Sequence, residues 1–358
     1  MALDTAPALP LRLLSRLATP LLPDDYLELI NPLWSQRSLK ARVVDIHKET
    51  AEATTITLQP PSRWQGHRAG QYVRIGIAVD GVRHSRCYSI SSAPSQVNGR
   101  FQITVKAIAD GRVSQHLNRR LQLGEVIDIS PAEGAFCWPT TMPEQALFIS
   151  AGSGITPMMS LALDAAARGQ LPRLTWLHYA PTRADVIFGE RLQALAAAHP
   201  QIDLQILLTR EGDAHFSAAE LTRRCPDWAT RATWSCGPAA LLDAVEALWA
   251  VTPTAAPLTV ERFRANVAAA SDAEGGTIRF LKSGGGVSGD GCRNLLETAE
   301  DAGLLPAHGC RMGICHGCTV KLKSGQVRDL RTGQVFGEED DLIQICVCAP
   351  AGDVALEM

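Results

Sequence analysis

Residues 309–318, GCRMGICHGC, place three cysteines in a Cys310-x4-Cys315-x2-Cys318 spacing, and a fourth, Cys346, lies further along the chain. Four thiolates so spaced are the ligand set of a [2Fe–2S] centre. The tight loop supplies three of them. The interleaved Gly309, Gly313 and Gly317 let its backbone fold over the inorganic sulfides and donate N–H bonds to them. Five of the ten cysteines lie in residues 310–358, a concentration that marks a metal or redox site rather than a disulfide framework. A structural zinc site is the competing reading, built from Cys315, Cys318, Cys346 and Cys348. It leaves Cys310 and the glycine pattern without a purpose. The fourth thiolate is itself a choice, because Cys346 and Cys348 follow Cys318 after 27 and 29 intervening residues.

Outward from this loop the chain divides into five segments: 1–38, a leader rich in Leu and Pro; 39–138; 139–264; 265–275, a linker of small and polar residues; and 276–358. The last opens with a strand at Thr277–Lys282 and continues with a helix at Arg293–Ala302. Its glycines 284–286 and 289–291 are expected in a hairpin turn, since no Lys-Ser/Thr follows to make a phosphate loop. Segment 39–138 has short apolar runs between Gly, Pro and Asn turns: Ala41–Ile46, Thr54–Gln59, Tyr72–Ile77, Phe101–Ile108 and Val126–Ser130. That rhythm predicts an antiparallel β-barrel. Segment 139–264 alternates strands (Ala146–Ser150, Leu174–Tyr179, Leu204–Leu208, Thr233–Cys236) with helices (Pro157–Arg168, Ile187–Ala198, Ala239–Ala250), the pattern of an α/β parallel sheet.

Composition bounds the rest. The 358 residues are 46% hydrophobic and 20% charged, with a net charge of −3. This is a multidomain globular chain with no basic balance to recruit nucleic acid. Arg12, Arg16 and Pro20 interrupt the apolar stretch from Leu9 to Leu22, so it is too short for a membrane span and unlike a signal peptide. The chain is read as cytoplasmic. Leu11–Leu22 is either a weak amphipathic helix peripheral to the inner face of the membrane or a helix docked on the barrel.

Several motifs then fall into one pattern. Arg86-Cys87-Tyr88-Ser89, preceded by Gly70-Gln71-Tyr72, resembles the RxYS motif of the ferredoxin–NADP reductase superfamily. Arg86 suits a flavin phosphate, the Tyr88 ring can pack on the isoalloxazine, and the Ser89 hydroxyl can reach its reactive edge. Gly111-x2-Ser114 before a helix is similar to that family's second phosphate contact. Val105-Lys106 resembles the intervening strand whose backbone touches the flavin, and Gly134-x-Phe136 the exit of the barrel. Ala151-Gly152-Ser153-Gly154-Ile155-Thr156-Pro157 follows a strand and opens a helix, where glycines admit a pyrophosphate to the helix N-terminus. It resembles the superfamily's GxGxTP-like loop. The resemblance places Cys236, in Cys236-Gly237-Pro238, beside the reacting nicotinamide carbon in a positioning role; a lone thiol at a strand end is otherwise a core residue. In Glu261-Arg262-Phe263 the resemblance makes Phe263 a cover for the flavin ring, against the alternative of a plug at the linker. Arg183 and Arg210 follow strands where relatives contact a 2′-phosphate, which points to NADPH over NADH. QICVCAPAGDVALE, residues 344–357, resembles the closing strand of plant-type ferredoxins, whose ligand stands four residues before a proline. With Pro350 that ligand is Cys346.

Residues 39–358 thus resemble oxygenase-type reductases with a C-terminal plant-type ferredoxin domain of the β-grasp, α+β class. The resemblance implies NADPH, a flavin (FAD, with FMN the alternative) and a [2Fe–2S] cluster acting in sequence and handing electrons to a terminal oxidase. Residues 23–60, from PDDYLELINP to TTITLQP, resemble the start of reductases that serve membrane fatty acyl-CoA desaturases, so fatty acid desaturation is the expected role. The same electron path serving an alkane, steroid or haem-thiolate hydroxylase is the alternative, and a non-enzymatic redox sensor that binds nucleotides is a third reading. No Glu-x-x-His pair is present for a di-iron site. His308 and His316, which flank the cluster loop, are expected to face solvent.

Overall fold

The computed structural model describes residues 23–79, 81–95, 99–109, 111–252, 255–263, 275–309, 311, 313 and 316–358. The apolar stretch Leu11–Leu22 and all of the expected linker but Gly275 lie outside these. The chain forms two compact units, Met1–Glu261 and Arg262–Met358. Among the described residues no helix is long and apolar enough to cross a membrane.

The first unit begins with α1 (Pro23–Ile30) and then a six-stranded antiparallel sheet: β1 (Leu39–Lys48), β2 (Ala53–Gln59), β3 (Tyr72–Val79), β4 (Val82–Ser89), β5 (Phe101–Lys106) and β6 (Val126–Ile129). The strand order is β4-β3-β6-β1-β2-β5. An Ile90–Ile103 bridge joins the end of β4 back to β5, bringing the two edges together as a near-barrel. Val43, Ile56, Leu58, Val73, Ile75, Ile90, Phe101 and Ile103 fill the interior. β2 is buried on both faces rather than alternating. Hydroxyl pairing makes this possible, because Thr55 Oγ1 and Ser91 Oγ both bond Thr104 Oγ1, at 2.8 and 2.9 Å, and a buried polar group so paired avoids most of its desolvation cost. Helix α2 (Arg112–Arg119) is tied to the barrel through Asn118, whose amide donates to the Glu52 and Val105 carbonyls at 2.8 and 3.2 Å. Lys48 Nζ donates to Asn118 Oδ1 at 2.8 Å.

The same unit continues as a parallel sheet of β7 (Gln145–Ala151), β8 (Arg173–Ala180), β9 (Ile202–Leu208), β10 (Ala232–Cys236) and β11 (Leu258–Glu261), in the order β11-β10-β7-β8-β9. Helices α3 (Ile155–Ala167), α4 (Gly189–Ala198), α5 (Ala218–Arg224) and α6 (Ala239–Ala250) make the crossovers. The chain lays down β7, β8 and β9 in one direction and then returns to the other side of β7 with β10. The order therefore reverses between β7 and β10, and the crevice beyond their carboxyl ends is where such sheets bind ligands. One face of the sheet holds Phe148, Trp176 and Trp234 beside Trp138, with Phe148 ring centroids 5.5, 5.3 and 6.0 Å from Trp138, Trp176 and Trp234.

The second unit has a mixed five-stranded sheet ordered β13-β12-β19-β14-β17, from β12 (Gly276–Phe280), β13 (Gly285–Gly289), β14 (Thr319–Ser324), β17 (Leu342–Gln344) and β19 (Val354–Leu356). Helix α7 (Leu295–Asp301) packs Leu295, Leu296 and Ala299 into its core. A second small sheet joins β15 (Val327–Asp329), β16 (Val335–Phe336) and β18 (Cys348–Pro350). One expectation is corrected here. Gly284, at φ +74°, lies in the turn 281–284 of a β12–β13 hairpin as expected, but Gly285, Gly286 and Gly289 lie in β13 itself, which pairs antiparallel with β12 from Gly276–Gly289 to Phe280–Gly285. At Gly289 glycine is needed for contact: a Cβ there would press Pro350 and Ile278 at 2.7 and 2.8 Å.

Phe148 has a filled aromatic environment and cannot be replaced without a void. Phe148→Ala is expected to cost about 3–5 kcal/mol of stability, measured by chemical denaturation of the first unit's transition.

Candidate functional site

Barrel and parallel sheet contribute to one site within the first unit. At the carboxyl end of β4, Arg86 and Tyr88 are half-buried and Ser89 is buried. Arg86 donates to the Ser85 carbonyl at 2.8 Å. Burial pushes the Tyr88 hydroxyl well above its ordinary value, against the smaller opposing effect of Arg86, so the ring stays neutral and apolar. Val105 lies in the barrel core, and Lys106 pairs with Glu52 at 3.7 Å. Gly111 is the residue before α2, and Ser114 sits inside the first turn rather than ahead of it. Its Oγ donates to the Gly111 carbonyl at 3.0 Å and accepts from the Ile108 amide at 3.3 Å.

On the sheet side, Gly152–Gly154 form a single 3₁₀ turn between β7 and α3, with Gly152 at φ +53°. A Cβ on Gly154 would collide with the Cys236 carbonyl, and one on Gly237 would crowd the Ala151 amide at 3.2 Å. The loops after β7 and β10 therefore meet backbone to backbone, and only glycine fits between them. Thr156 Oγ1 donates to the Ser153 carbonyl at 3.0 Å. Pro157, in the first turn of α3, gives up an amide that has no intrahelical partner anyway. Pro238 caps α6. Cys236 is fully buried, and burial, aided by Glu261, holds its thiol well above the ordinary range. It is a neutral thiol suited to packing, not a nucleophile. Arg183 lies in a short 3₁₀ turn after β8, its backbone N–H donating to Glu211 at 2.8 Å. Arg210 follows β9, with its amide bonded to the Pro181 carbonyl at 2.8 Å. Both arginines thus stand at the carboxyl edge of the sheet.

Two features escaped the sequence reading. The first is Glu261, the last residue of β11, whose carboxylate accepts a 3.2 Å bond from Ser89 Oγ, 172 residues away in the chain. Burial pushes this carboxyl up to about 8. It is neutral at pH 7 and able to donate as well as accept. Only Phe263 was singled out in that segment; Phe263 falls in the second unit and is 40% exposed. The second feature is a buried chain beneath the glycine loop: Trp176 Nε1 donates to Ser150 Oγ at 3.1 Å, and Ser150 Oγ lies 2.9 Å from His178 Nδ1. Burial drives His178 down to about 3, so the ring is neutral. Short-range pattern signals none of this, because the partners come from different strands.

In the second unit, Cys310 and Cys315 lie outside the described residues, while Cys318 and Cys346 are buried and brought together. A hydrogen bond from Cys346 lowers the Cys318 thiol, which favours the thiolate a metal requires. Cys348 is buried too, but burial pushes its thiol up to about 12, with Asp329 adding to the shift. The thiol pair and the glycine-rich loop fit an iron–sulfur ligand set. His316 is exposed, as expected. His308 is not: it is 12% exposed and accepts a 2.9 Å bond from Arg311, which also pairs with Glu300 of α7. That ion pair draws the histidine in.

Known proteins agree with this geometry. Residues 40–138 match the oxidoreductase FAD-binding domain, 148–246 the oxidoreductase NAD-binding domain, and 285–351 the 2Fe-2S iron-sulfur cluster binding domain. An NADPH oxidoreductase of Mycobacterium tuberculosis is 39% identical over 350 residues, covering 97% of this chain and 91% of the relative. The chain belongs to the ferredoxin–NADP reductase superfamily. It is an oxidoreductase electron-transfer component that uses NAD(P)H, FAD and a [2Fe–2S] cluster, and the reading as a non-enzymatic sensor falls. The reductase subunit of glycine betaine monooxygenase from Chromohalobacter salexigens is 28% identical over 357 residues, 90% of this chain and 96% of the relative. The solved structure of phthalate dioxygenase reductase shares the fold, with a TM-score of 0.66 at 22% identity, covering 89% of this chain and 97% of that one.

For this reductase the raised Glu261 carboxyl carries a sign. A group at about 8 in the fold against an ordinary 4.5 binds its proton more tightly when folded. Its contribution to stability is full below the ordinary value and is lost as pH rises through the folded one. Denaturation of wild type between pH 5.5 and 8.5 is expected to show a decline of about 3 kcal/mol that Glu261→Gln removes. The Gln variant also flattens the pH dependence of flavin reduction near pH 8, read by stopped-flow absorbance.

Proposed function

We propose that this chain draws electrons from NADPH and delivers them singly to a separate terminal oxygenase. When bound, FAD takes up a hydride and the [2Fe–2S] cluster passes electrons on one at a time. The protein's own work is placement. The observation that carries the reading is the junction of Ser89–Glu261 from the barrel and β11 with Cys236 at the switch point between β7 and β10. There a nicotinamide entering over Gly152–Gly154 would be held against a flavin resting on Tyr88.

In this reading Arg86, the turn Gly111–Ser114 and the backbone of Val105 and Lys106 hold the flavin and its phosphates. Gly152, Gly154, Thr156 and Pro157 shape the pyrophosphate seat at the start of α3, where the helix dipole favours negative charge. Cys236, Gly237 and Pro238 orient the nicotinamide. Ser89 and the neutral Glu261 hold a hydrogen-bonding edge beside the reacting ring. Arg183 and Arg210 select the 2′-phosphate, and the extensive identity to an NADPH oxidoreductase supports that choice. Cys310, Cys315, Cys318 and Cys346 hold the cluster, with Cys348 a buried neighbour.

Relatives named as reductase components of glycine betaine, 3-ketosteroid and phenol monooxygenases favour an oxygenase as acceptor. The segment 23–60 favours a second reading, in which the acceptor is a membrane acyl-CoA desaturase. Anaerobic titration with NADPH and then NADH is expected to bleach the flavin and develop the rhombic signal of one reduced [2Fe–2S] centre, with NADPH the better donor. Bleaching without that signal would remove the iron–sulfur half of the reading. Product formation with a monooxygenase component, and none with a desaturase in matched vesicles, supports the first acceptor; the reverse result establishes the second.

A further inference from the structure

The second unit carries an ion pair that the electron path described above does not use. Asp329 ends β15 and Arg331 follows it in the turn. Arg331 donates through Nε to Asp329 Oδ1 at 3.0 Å and through Nη2 to Asp329 Oδ2 at 2.6 Å, a two-point lock. The Arg331 amide bonds the same carboxylate at 2.8 Å. The remaining nitrogen, Nη1, reaches the carbonyl of Gly313, 18 residues back in the chain, at 3.2 Å. Gly313 stands between Cys310 and Cys315 in sequence, and its fit is close. A Cβ there would meet Arg331 Nη1 at 2.5 Å and Val347 at 3.0 Å. Asp329 is also paired in register with Cys348, and Leu330 donates to the Val347 carbonyl at 2.8 Å. Val347 lies between Cys346 and Cys348, so the guanidinium is pinned where the cluster loop and the closing cysteine segment come together. Its charge interacts with the thiols of both cysteines.

A planar fork held at two points keeps its direction, whereas a free lysine or arginine would average over solvent. We propose that the Asp329–Arg331 pair sets the reduction potential of the iron–sulfur centre, with Arg331 holding a fixed positive charge against the cluster loop. Reduction adds one electron, supplied by NAD(P)H through the flavin. One ferric ion becomes ferrous and the centre gains one negative charge; no bond to the protein breaks and no proton is taken up. A fixed cation stabilises the more negative state, and the partnered carboxylate partly offsets it. Asp329 sits nearly buried at 14% exposure while Arg331 is 36% exposed. The pair is therefore screened only in part, and its two charges act on the centre in opposite senses.

The test is an EPR-monitored redox titration of the holoenzyme and of Arg331→Gln, Arg331→Lys and Asp329→Asn, with iron content measured for each. Arg331→Gln leaves the carboxylate unopposed, and its ratio of reduced to oxidised cluster at fixed ambient potential is expected to fall about fivefold. Asp329→Asn leaves the guanidinium unopposed, and the ratio is expected to rise. Arg331→Lys keeps the charge and stays nearer wild type. Flavin bleaching by NADPH is unchanged in all three. Shifts of the same sign in Arg331→Gln and Asp329→Asn, or no shift with full iron content, would overturn the proposal and leave the pair a packing element. If Arg331→Gln does not retain its cluster, the opposite displacement of Asp329→Asn relative to Arg331→Lys decides. A wild-type protein without the rhombic signal would instead overturn the iron–sulfur reading itself.

Discussion

The close approach of two backbone loops at the reversal point of the parallel sheet is the constraint on which the rest of the first unit depends. Gly154 lies directly against the carbonyl of Cys236, and any side chain there would force the loops after β7 and β10 apart. The crevice owes its existence to that contact. So does the placement of Cys236, which is fully buried and in register with Ser150 on β7. The polar chain Trp176–Ser150–His178 underpins the same strand ends from below. Trp176 Nε1, Ser150 Oγ and His178 Nδ1 satisfy one another in an otherwise apolar layer, while the buried His178 Nε2 has no hydrogen-bond partner. The glycine turn before α3 thus rests on this floor.

Among the described residues the barrel segment is joined to α3 by Ser160 Oγ donating to the Ser92 carbonyl at 2.6 Å and Trp138 Nε1 donating to the Leu161 carbonyl at 3.0 Å, and to β11 by Ser89 donating to Glu261. A carboxyl pushed to about 8 is a neutral donor and acceptor at physiological pH. The Cys236 thiol, in register with it on β10, is held neutral as well. An ionised carboxylate there would oppose the approach of electron-rich rings. Burial, more than any partner, produces this state, because it raises both the carboxyl and the thiol.

The iron–sulfur unit follows the opposite electrostatic logic. Two ion pairs meet the described residues of its loop: Arg311 itself pairs with Glu300, and Arg331, paired with Asp329, reaches the Gly313 carbonyl. Arg311 and His316 adopt left-handed backbone conformations without being glycine, at φ 60° and 54°. Such residues are retained where the surroundings over-determine the chain. For Arg311 those surroundings are the carboxylate of Glu300 and the imidazole of His308. A centre that changes charge by one unit on reduction is sensitive to fixed charges, whereas in the first unit burial holds Glu261 and Cys236 neutral.

By itself the sequence determined the three-part organisation, the barrel and the parallel sheet, because hydrophobic period and turn chemistry are local properties. The Cys-x4-Cys-x2-Cys spacing also pointed to the [2Fe–2S] centre, being constrained within a few residues, while the flavin and the nicotinamide nucleotide came from the resemblance of Arg86–Ser89 and of the glycine turn before α3 to the reductase superfamily. Element ends fell close to expectation: the helix expected at Ala239–Ala250 is α6 itself, and the strand expected at Thr233–Cys236 begins one residue earlier. Tertiary structure alone decided the role of Glu261, which faces Ser89 only because β11 is the edge strand beside β10. It decided as well that 285–289 is a strand, that His308 turns inward, and that Arg331 reaches Gly313. Each depends on a partner distant in the chain, and the physical reason is the same throughout. Hydrogen bonds and charges act across space at a few ångströms, while sequence pattern records only what neighbours along the chain require.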